Sequence, residues 1–413
     1  MKPLPNSPTP PTPPTPPIPP ITVVAQGLAC TTGVGLQTLA HALRSSPPTL
    51  QPNNFTAGPL PCWSGRIAAL DDTRLPPALA HWDCRATRAA WLGLQADDFI
   101  GSVAAARLRH GAARVGLVLG TSASTIGVSE EAYANPAADG GFPAALRSET
   151  LNSIHALTGF VQEALALEGP CATVSTACSS SAKAFAQAER WLRLELVDAV
   201  VVAGVDALCG SVLYGFAALQ LLSPEPCQPF AAGRRGISVG EAAGFVLLER
   251  GAGDLQLLGH GESNDAHHMS TPHPQGRGAE AALDAALARA GIDAHHIDFL
   301  HLHGTGTARN DDVEAALVAR RYRADVHASA TKGLSGHTMG AAGIVGALVG
   351  LLSLRDGLCA GTAQTQAVDP ALGPVFAQQL QLNANFTNVL ISASHSFGFG
   401  GNNCVLIFGR GSA

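Results

Sequence analysis

Hydrophobic residues in this chain come in short unbroken runs rather than in alternation. Val, Ile and Leu dominate "ITVVAQGL" (Ile21–Leu28), "RVGLVLG" (Arg114–Gly120), "DAVVVAGVDAL" (Asp198–Leu208) and "AAGFVLLER" (Ala242–Arg250). Later come "IDFLHLHG" (Ile297–Gly304), "NVLISAS" (Asn388–Ser394) and "NCVLIFG" (Asn403–Gly409). Such runs predict strands buried on both faces, in sheets covered by helices. The longest apolar stretch, "MGAAGIVGALVGLLSL" (Met339–Leu354), is laced with glycine. It is shorter than the ~20 residues a membrane span needs. It predicts a buried central helix and no membrane span.

One segment changes character midway. "VSTACSSSAKAF" (Val174–Phe185) passes from β-prone residues to an alanine-rich helix from Ser181. Cys178 therefore falls where a strand becomes a helix N-terminus. The order recurs later: a strand, then "KGLSGH" (Lys332–His337), then a Gly/Ala-rich helix. Two halves that each present a reactive group at the start of a buried helix are expected to converge on one site. The division is expected near Gly251–Gly259, giving halves 21–255 and 256–413. The opening "MKPLPNSPTPPTPPTPPIPP" favours extended polyproline II and predicts a disordered tail over 1–20, with no signal peptide.

Composition narrows the class. A chain of 413 residues exceeds one simple core, so two domains or fused half-domains are expected. It is 46% hydrophobic and only 14% charged, which suits a large α/β protein. A net charge of −6 argues against a general nucleic-acid binder. The 9 cysteines are odd in number and form no CxxC pair. Neither a disulfide framework nor a zinc knuckle is suggested, and a reducing cytoplasm is expected. Lys2, Lys183 and Lys332 are the lysines in a chain whose default cation is arginine. An interior lysine at 332 therefore invites a chemical role.

Four stretches carry candidate chemistry. At a helix N-terminus, unpaired N–H groups and the macrodipole favour an anion. This predicts a lowered pKa for Cys178 and a role as nucleophile or acyl acceptor. His303 opens "HGTGTARNDDVE" (His303–Glu314) at the end of a buried strand, where α/β proteins place chemistry. His337, at a helix start, is expected to stay neutral, so that it can donate a hydrogen bond to an oxygen that becomes negative. Lys332 could orient a histidine and hold positive charge nearby. The Gly-rich loop of "SHSFGFGGNNC" (Ser394–Cys404) can bring backbone N–H groups close to a substrate and move as a gate, or turn a β-hairpin. A structural thiol is the expected state of the other eight cysteines, but position and flanks favour a reactive role for Cys178. A lone histidine such as His303 could be a satisfied core or surface group, as His301 is expected to be.

In combination these motifs resemble the elongating β-ketoacyl-acyl-carrier-protein synthases of the thiolase superfamily. The resemblance covers nearly everything after residue 20. It rests on TACSSS (Thr176–Ser181), HGTGT (His303–Thr307), KGLSGHTMGAAG (Lys332–Gly343), SFGFGG (Ser396–Gly401) and NDAHHMSTP (Asn264–Pro272). It implies an α/β thiolase fold, five-layered αβαβα with two pseudo-repeated halves. It also implies decarboxylative Claisen condensation with Cys178 as nucleophile and His303, His337 and Lys332 as its catalytic partners. The N–H groups of Cys178 and Phe399 would form the oxyanion hole. Phe397, Phe399, Gly400, Ala123, Asp265 and His268 would form the gate and acyl pocket. No metal or other cofactor is expected. The implied partners are acyl- and malonyl-loaded carrier protein and a dimer mate, either a second copy or a chain-length-factor-like subunit. Two other readings are a non-catalytic partner subunit, which usually lacks the nucleophilic cysteine, and an acyltransferase without decarboxylation.

The chain departs from the family pattern at several points. Ala231 and Arg235 replace aspartates in "QPFAAGRRG" (Gln228–Gly236), so the salt bridges of that loop must differ. Asn310 replaces a usual glycine, His395 stands where Asn is common, and Gly346 stands where a glutamate is often found. Lys332 is thus expected to lack a carboxylate partner. Ala123 is small at a position where a bulkier side chain from the dimer mate is frequent, which should open the acyl pocket. With TACSSS and Gly346 it points toward a polyketide or aryl-polyene type pathway. Arg107, Arg109, Arg234, Arg235, Arg320 and Arg321 are candidates for docking an acidic carrier protein.

Overall fold

The structure, a computed structural model, describes residues 20–136, 140–141 and 150–411. The proline-rich tail, apart from Pro20, lies outside the described residues. Strands β1 (Ile21–Cys30), β2 (Val115–Gly120), β3 (Cys171–Val174), β4 (Ala199–Asp206) and β5 (Ala242–Arg250) belong to the first half of the chain. Strands β6 (Leu255–Asn264), β7 (Phe299–His301), β8 (His327–Ser329), β9 (Ile391–Gly398) and β10 (Asn402–Arg410) belong to the second. With the short strand Gly33–Val34 on β1 they form one 11-stranded sheet, ordered β8-β7-β9-β10-β6-β1-β5-β4-β2-β3.

The order is symmetrical about its centre. In each half a parallel trio (β4-β2-β3 or β9-β7-β8) is followed by two antiparallel neighbours. Among the described residues the two halves of the sheet pair through Ile21↔Leu257 and Thr22↔Gln256 alone. Helices α1 (Arg85–Gln95) and α2 (Phe99–His110) cover the outer face of the first half. Helix α4 (Arg277–Ala290) covers the outer face of the second, with α5 (Ala308–Arg321) beside it. Between the halves lie α3 (Ser180–Arg193) and α6 (Ala342–Asp356), each in contact with strands of both. This is the five-layered αβαβα arrangement, and α6 is its centre: every residue from Ala342 to Leu354 is buried. The stretch Met339–Asp356 is apolar and long enough to cross a membrane, but 89% of it is buried inside the protein.

Strand ends differ from the sequence expectation for local reasons. β7 stops at His301 because His303 and Gly304 turn away to donate their N–H groups to Glu314. Gly304 (φ 39) and Gly306 (φ 77) then take left-handed backbone. β9 begins at Ile391 rather than Asn388, since Asp298 takes the N–H groups of Leu390 and Ile391. It runs on to Gly398 because β10 pairs with it throughout.

The two buried helices meet near their N-termini, and this contact sets the site. The Ser181 hydroxyl donates to the carbonyl of Gly340 (2.6 Å) and accepts the N–H of Ile344 (2.9 Å). A Cβ on Gly343 would lie 2.7 Å from that of Ala182 and closer still to its backbone nitrogen. Alanine at 343 would gain about 1 kcal/mol in helix propensity, yet overpacking against backbone that cannot move aside costs about 2–3 kcal/mol, the upper part of the usual range. Gly343→Ala is expected to lower stability by about 1–2 kcal/mol in denaturant melts. An unchanged or raised midpoint would show that the helices are not in such close contact.

Candidate active site

Cys178 sits in the turn between β3 and α3, immediately after Ala177, whose φ of 52 is left-handed. This kink turns the thiol out of the strand direction. The side chain is buried, 7% exposed, at the inner end of a cavity of about 470 Å³. Its own N–H and that of Phe399 approach the sulfur and favour its anionic form. Gly398 makes this possible: a Cβ there would sit 3.1 Å from the nitrogens of Cys178 and Ser179.

The expected lowering of the thiol pKa is overturned. Burial pushes Cys178 up to about 11, and the two N–H groups and Lys332 only partly offset it. Desolvation outweighs the helix dipole because the surrounding side chains replace most of the water around the sulfur. The resting group is a thiol, not a thiolate.

His303 and His337 share the cavity. Sγ of Cys178 and one ring nitrogen of each histidine all lie within 4.8 Å of one another. The two rings meet edge to face, with centroids 5.5 Å apart at 86°. Both rings are buried, and desolvation, then the neighbouring Lys332, hold them well below the usual histidine range. Both are neutral at pH 7.

Their tautomers follow from what surrounds them. Nδ1 of His337 accepts the N–H of Met339 (3.0 Å), so its proton is on Nε2. Nδ1 of His303 lies 3.4 Å from the Nζ donor of Lys332, so it too carries its proton on Nε2. Two N–H donors are thereby available to an oxygen that gains charge. Sγ of Cys178 and a ring nitrogen of each histidine lie close enough together to hold a metal ion, but only with those nitrogens unprotonated and the thiol ionised. The adjacent Lys332 brings positive charge where a divalent ion would call for anions.

Several interactions fix these groups. The N–H of His337 donates to Ser238 (2.6 Å), and its carbonyl accepts from Gly240 (2.9 Å). Asp206, fully buried, holds Ser122 and Ala123 on one side and the N–H of Gly340 (2.6 Å) on the other. That fixes the turn after His337. Lys332, 5% exposed, donates to the carbonyl of His303. It has no direct carboxylate partner among the described residues, as expected from Gly346. Burial lowers the pKa of Lys332, and the Glu314 carboxylate works against this by favouring the protonated amine. A Cβ on Gly346 would fall 2.5 Å from Oγ of Ser394 and 2.7 Å from Nδ1 of His301, so His301 fills that space. His301 is buried, with Nε2 2.9 Å from Thr331 and its pKa pushed down to about 3.

The Gly loop is both a hairpin turn and part of the cavity wall. Phe397 lies between His303 and His395, with ring centroids 6.1 and 5.0 Å away. Phe399 packs on Phe216. Gly400 donates to Met269 (2.6 Å), and Asp265 N–H donates to Gly401 (2.9 Å), which ties the loop to the 264–273 segment. Asp265 lines the cavity, whereas His268 is exposed and does not. Ala123 does not line this chain's own cavity.

The mouth corrects the arginine expectation. Arg109 pairs with Glu249, Arg320 with Glu280, and Arg321 with Glu280 and Asp284. Neither these nor Arg107 lines the cavity, whereas Arg234 and Arg235 do. Arg234 pairs with Asp312 (2.5 Å) and Asp369 (2.7 Å), which supply the ion pairs that the altered loop needs. Arg309 also lines the mouth, exposed on the first turn of α5. It was missed because nothing in its sequence neighbourhood distinguishes it from an ordinary surface arginine.

Comparison with known proteins agrees with this geometry. Residues 100–253 match the N-terminal domain of β-ketoacyl synthase, and residues 256–366 match its C-terminal domain. Nodulation protein E of Rhizobium meliloti is 33% identical over 316 residues, covering 72% of this chain and 76% of that protein. A 3-oxoacyl-[acyl-carrier-protein] synthase 2 from the same species is 36% identical over 267 residues, covering 59% and 62%. The solved structure of a ketosynthase (ApeO) in complex with its chain length factor (ApeC), from Xenorhabdus doucetiae, superposes with a TM-score of 0.86 at 34% identity, covering 95% of this chain and 98% of that one. The chain belongs to the β-ketoacyl synthase family.

Proposed function

We propose that this chain catalyses decarboxylative Claisen condensation of malonyl-carrier protein with an acyl group held on Cys178. The observation that carries the reading is the convergence of Cys178, His303 and His337 within 4.8 Å at the end of one cavity. In the first half-reaction Sγ attacks the acyl thioester carbon, the carrier's C–S bond breaks, and the thiol proton leaves with the carrier thiol. The N–H groups of Cys178 and Phe399 hold the transient oxyanion. In the second, malonyl thioester loses CO₂, and the enolate oxygen accepts from Nε2–H of His303 and His337. The carbanion attacks the acyl-Cys178 carbonyl. The C–S bond to Cys178 breaks, one proton is taken up, and β-ketoacyl-carrier protein leaves. Lys332 holds His303 and places positive charge near the departing carboxylate. No step calls for a metal or redox cofactor.

The remaining assignments follow the same reading. Phe397, Phe399, Gly400 and Asp265 would form the gate, and Ala123 would open the pocket of a dimer mate. The carrier would meet Arg235 and Arg309, which are exposed at the mouth, whereas the Arg234 side chain is buried in its own ion pairs. The halves would divide near residues 255/256, at the start of β6. Among the described residues β3 pairs only with β2, so its outer edge suits a dimer mate. The partner is a second copy or a chain-length-factor-like subunit, given the similarity to a ketosynthase found with one. The free state of the 9 cysteines suits a cytoplasmic setting. The pathway favoured is of polyketide or aryl-polyene type. The intact Cys178, His303, His337 and Lys332 speak against a non-catalytic partner subunit.

Mass spectrometry after exposure to acyl-carrier protein, then malonyl-carrier protein, tests the reaction. The expected result is an acyl adduct on Cys178 that disappears with CO₂ release, and no adduct in Cys178→Ala. Absence of any adduct in the native chain would favour the partner-subunit reading. Turnover of the adduct without CO₂ would favour a simple acyltransferase. A thiol that ionises only near pH 11 is almost wholly protonated at pH 7. Its alkylation by iodoacetamide should therefore rise about tenfold per pH unit between pH 7 and 9. A plateau already reached by pH 7 would mean a resting thiolate.

A further inference from the structure

Behind His303 runs a buried chain of polar groups that the reaction above does not use. The Tyr322 hydroxyl lies 2.8 Å from Nε2 of His395, and Nδ1 of His395 lies 3.0 Å from Oε1 of Glu314. His395, Glu314 and Tyr322 are all buried, at 2%, 0% and 5% exposure. Glu314 also accepts the N–H of His303 (2.7 Å) and of Gly304 (2.8 Å), and Nδ2 of Asn310 (3.3 Å). A carboxylate buried without such donors would be costly.

The direction of each bond can be assigned. An ionised carboxylate only accepts, so His395 must donate from Nδ1. The phenolic O–H of Tyr322 finds its acceptor in Nε2 of His395, so that nitrogen carries no proton. Burial raises the pKa of that phenol, so it keeps its proton and remains a donor. The chain of donation runs from Tyr322 through His395 to Glu314, and Glu314 grips the backbone of the histidine that Lys332 holds from the other side. Titratable neighbours of His395 are Glu314 and Tyr322 on and just after α5, and His301 and His303 at the end of β7.

We infer that Tyr322 and His395 are positioning residues, which hold the Glu314 carboxylate and through it the orientation of His303. The inference rests on the proposed reaction for its kinetic consequence, but not for the hydrogen-bond arrangement itself. Glu314 and His395 were legible only as motif positions; Tyr322 was not singled out by any motif.

The test has two arms on the full chain. In protein labelled with ¹⁵N-histidine, His395 is expected as the Nδ1-protonated neutral tautomer. In Tyr322→Phe its Nε2 resonance should move as the donor is lost. Decarboxylation of malonyl-carrier protein should slow about tenfold in this variant, the low end of what losing an outer-shell partner of a metal-binding histidine costs. Acylation of Cys178, which does not use His303, should change less than twofold. Finding His395 protonated on Nε2 in the native chain overturns the inference, even if Tyr322→Phe fails to fold. Equal slowing of both half-reactions, or of neither, also overturns it. A native chain that fails to decarboxylate malonyl-carrier protein would count against the proposed reaction, while the tautomer would still decide the inference.

Discussion

A lysine buried against two histidines is the constraint on which the site depends. Lys332 is 5% exposed, and its ammonium group reaches the carbonyl and Nδ1 of His303. Burial alone disfavours a charged imidazole, and a cation close by disfavours it further. His303 and His337 are therefore held neutral, each with its Nε2 proton free for a substrate oxygen. Protonated rings would add charge beside a buried ammonium, and the Glu314 carboxylate is already engaged by four donors.

The fold delivers these groups through its internal symmetry. Each half ends its parallel trio in a strand followed by a turn and a buried helix. The turn after β3 carries Cys178, and the turn after β8 carries Lys332 and His337. Ser181 and Gly343 let the two helices touch near their starts, so the two turns face each other. The third contribution, the hairpin between β9 and β10, brings the Phe399 N–H to the sulfur. Glycine at 398 is needed because a side chain there would press on the nitrogens of Cys178 and Ser179.

Much of this was legible in the sequence. Apolar runs located the strands, the Gly/Ala-rich stretch located α6, and the repeated strand–turn–helix order anticipated that Cys178 and His337 converge. Three things were not legible. The thiol's ionisation was misjudged because a helix N-terminus is a local signal, whereas desolvation depends on everything packed around the sulfur. The ends of β7 and β9 moved because Glu314 and Asp298 draw backbone N–H groups from distant segments. The ion pairs of Arg234 with Asp312 and Asp369 join residues far apart in the chain, so the loss of aspartates near 231–235 could be noticed but its replacement could not be named.

The central claim is the neutrality of the two imidazoles, and ¹⁵N NMR of His303 and His337 across pH 5 to 8 measures it directly. Both rings should keep the Nε2-protonated neutral pattern throughout that range. A ring that takes up a proton near pH 6.5, or that shows the opposite tautomer, would contradict the account.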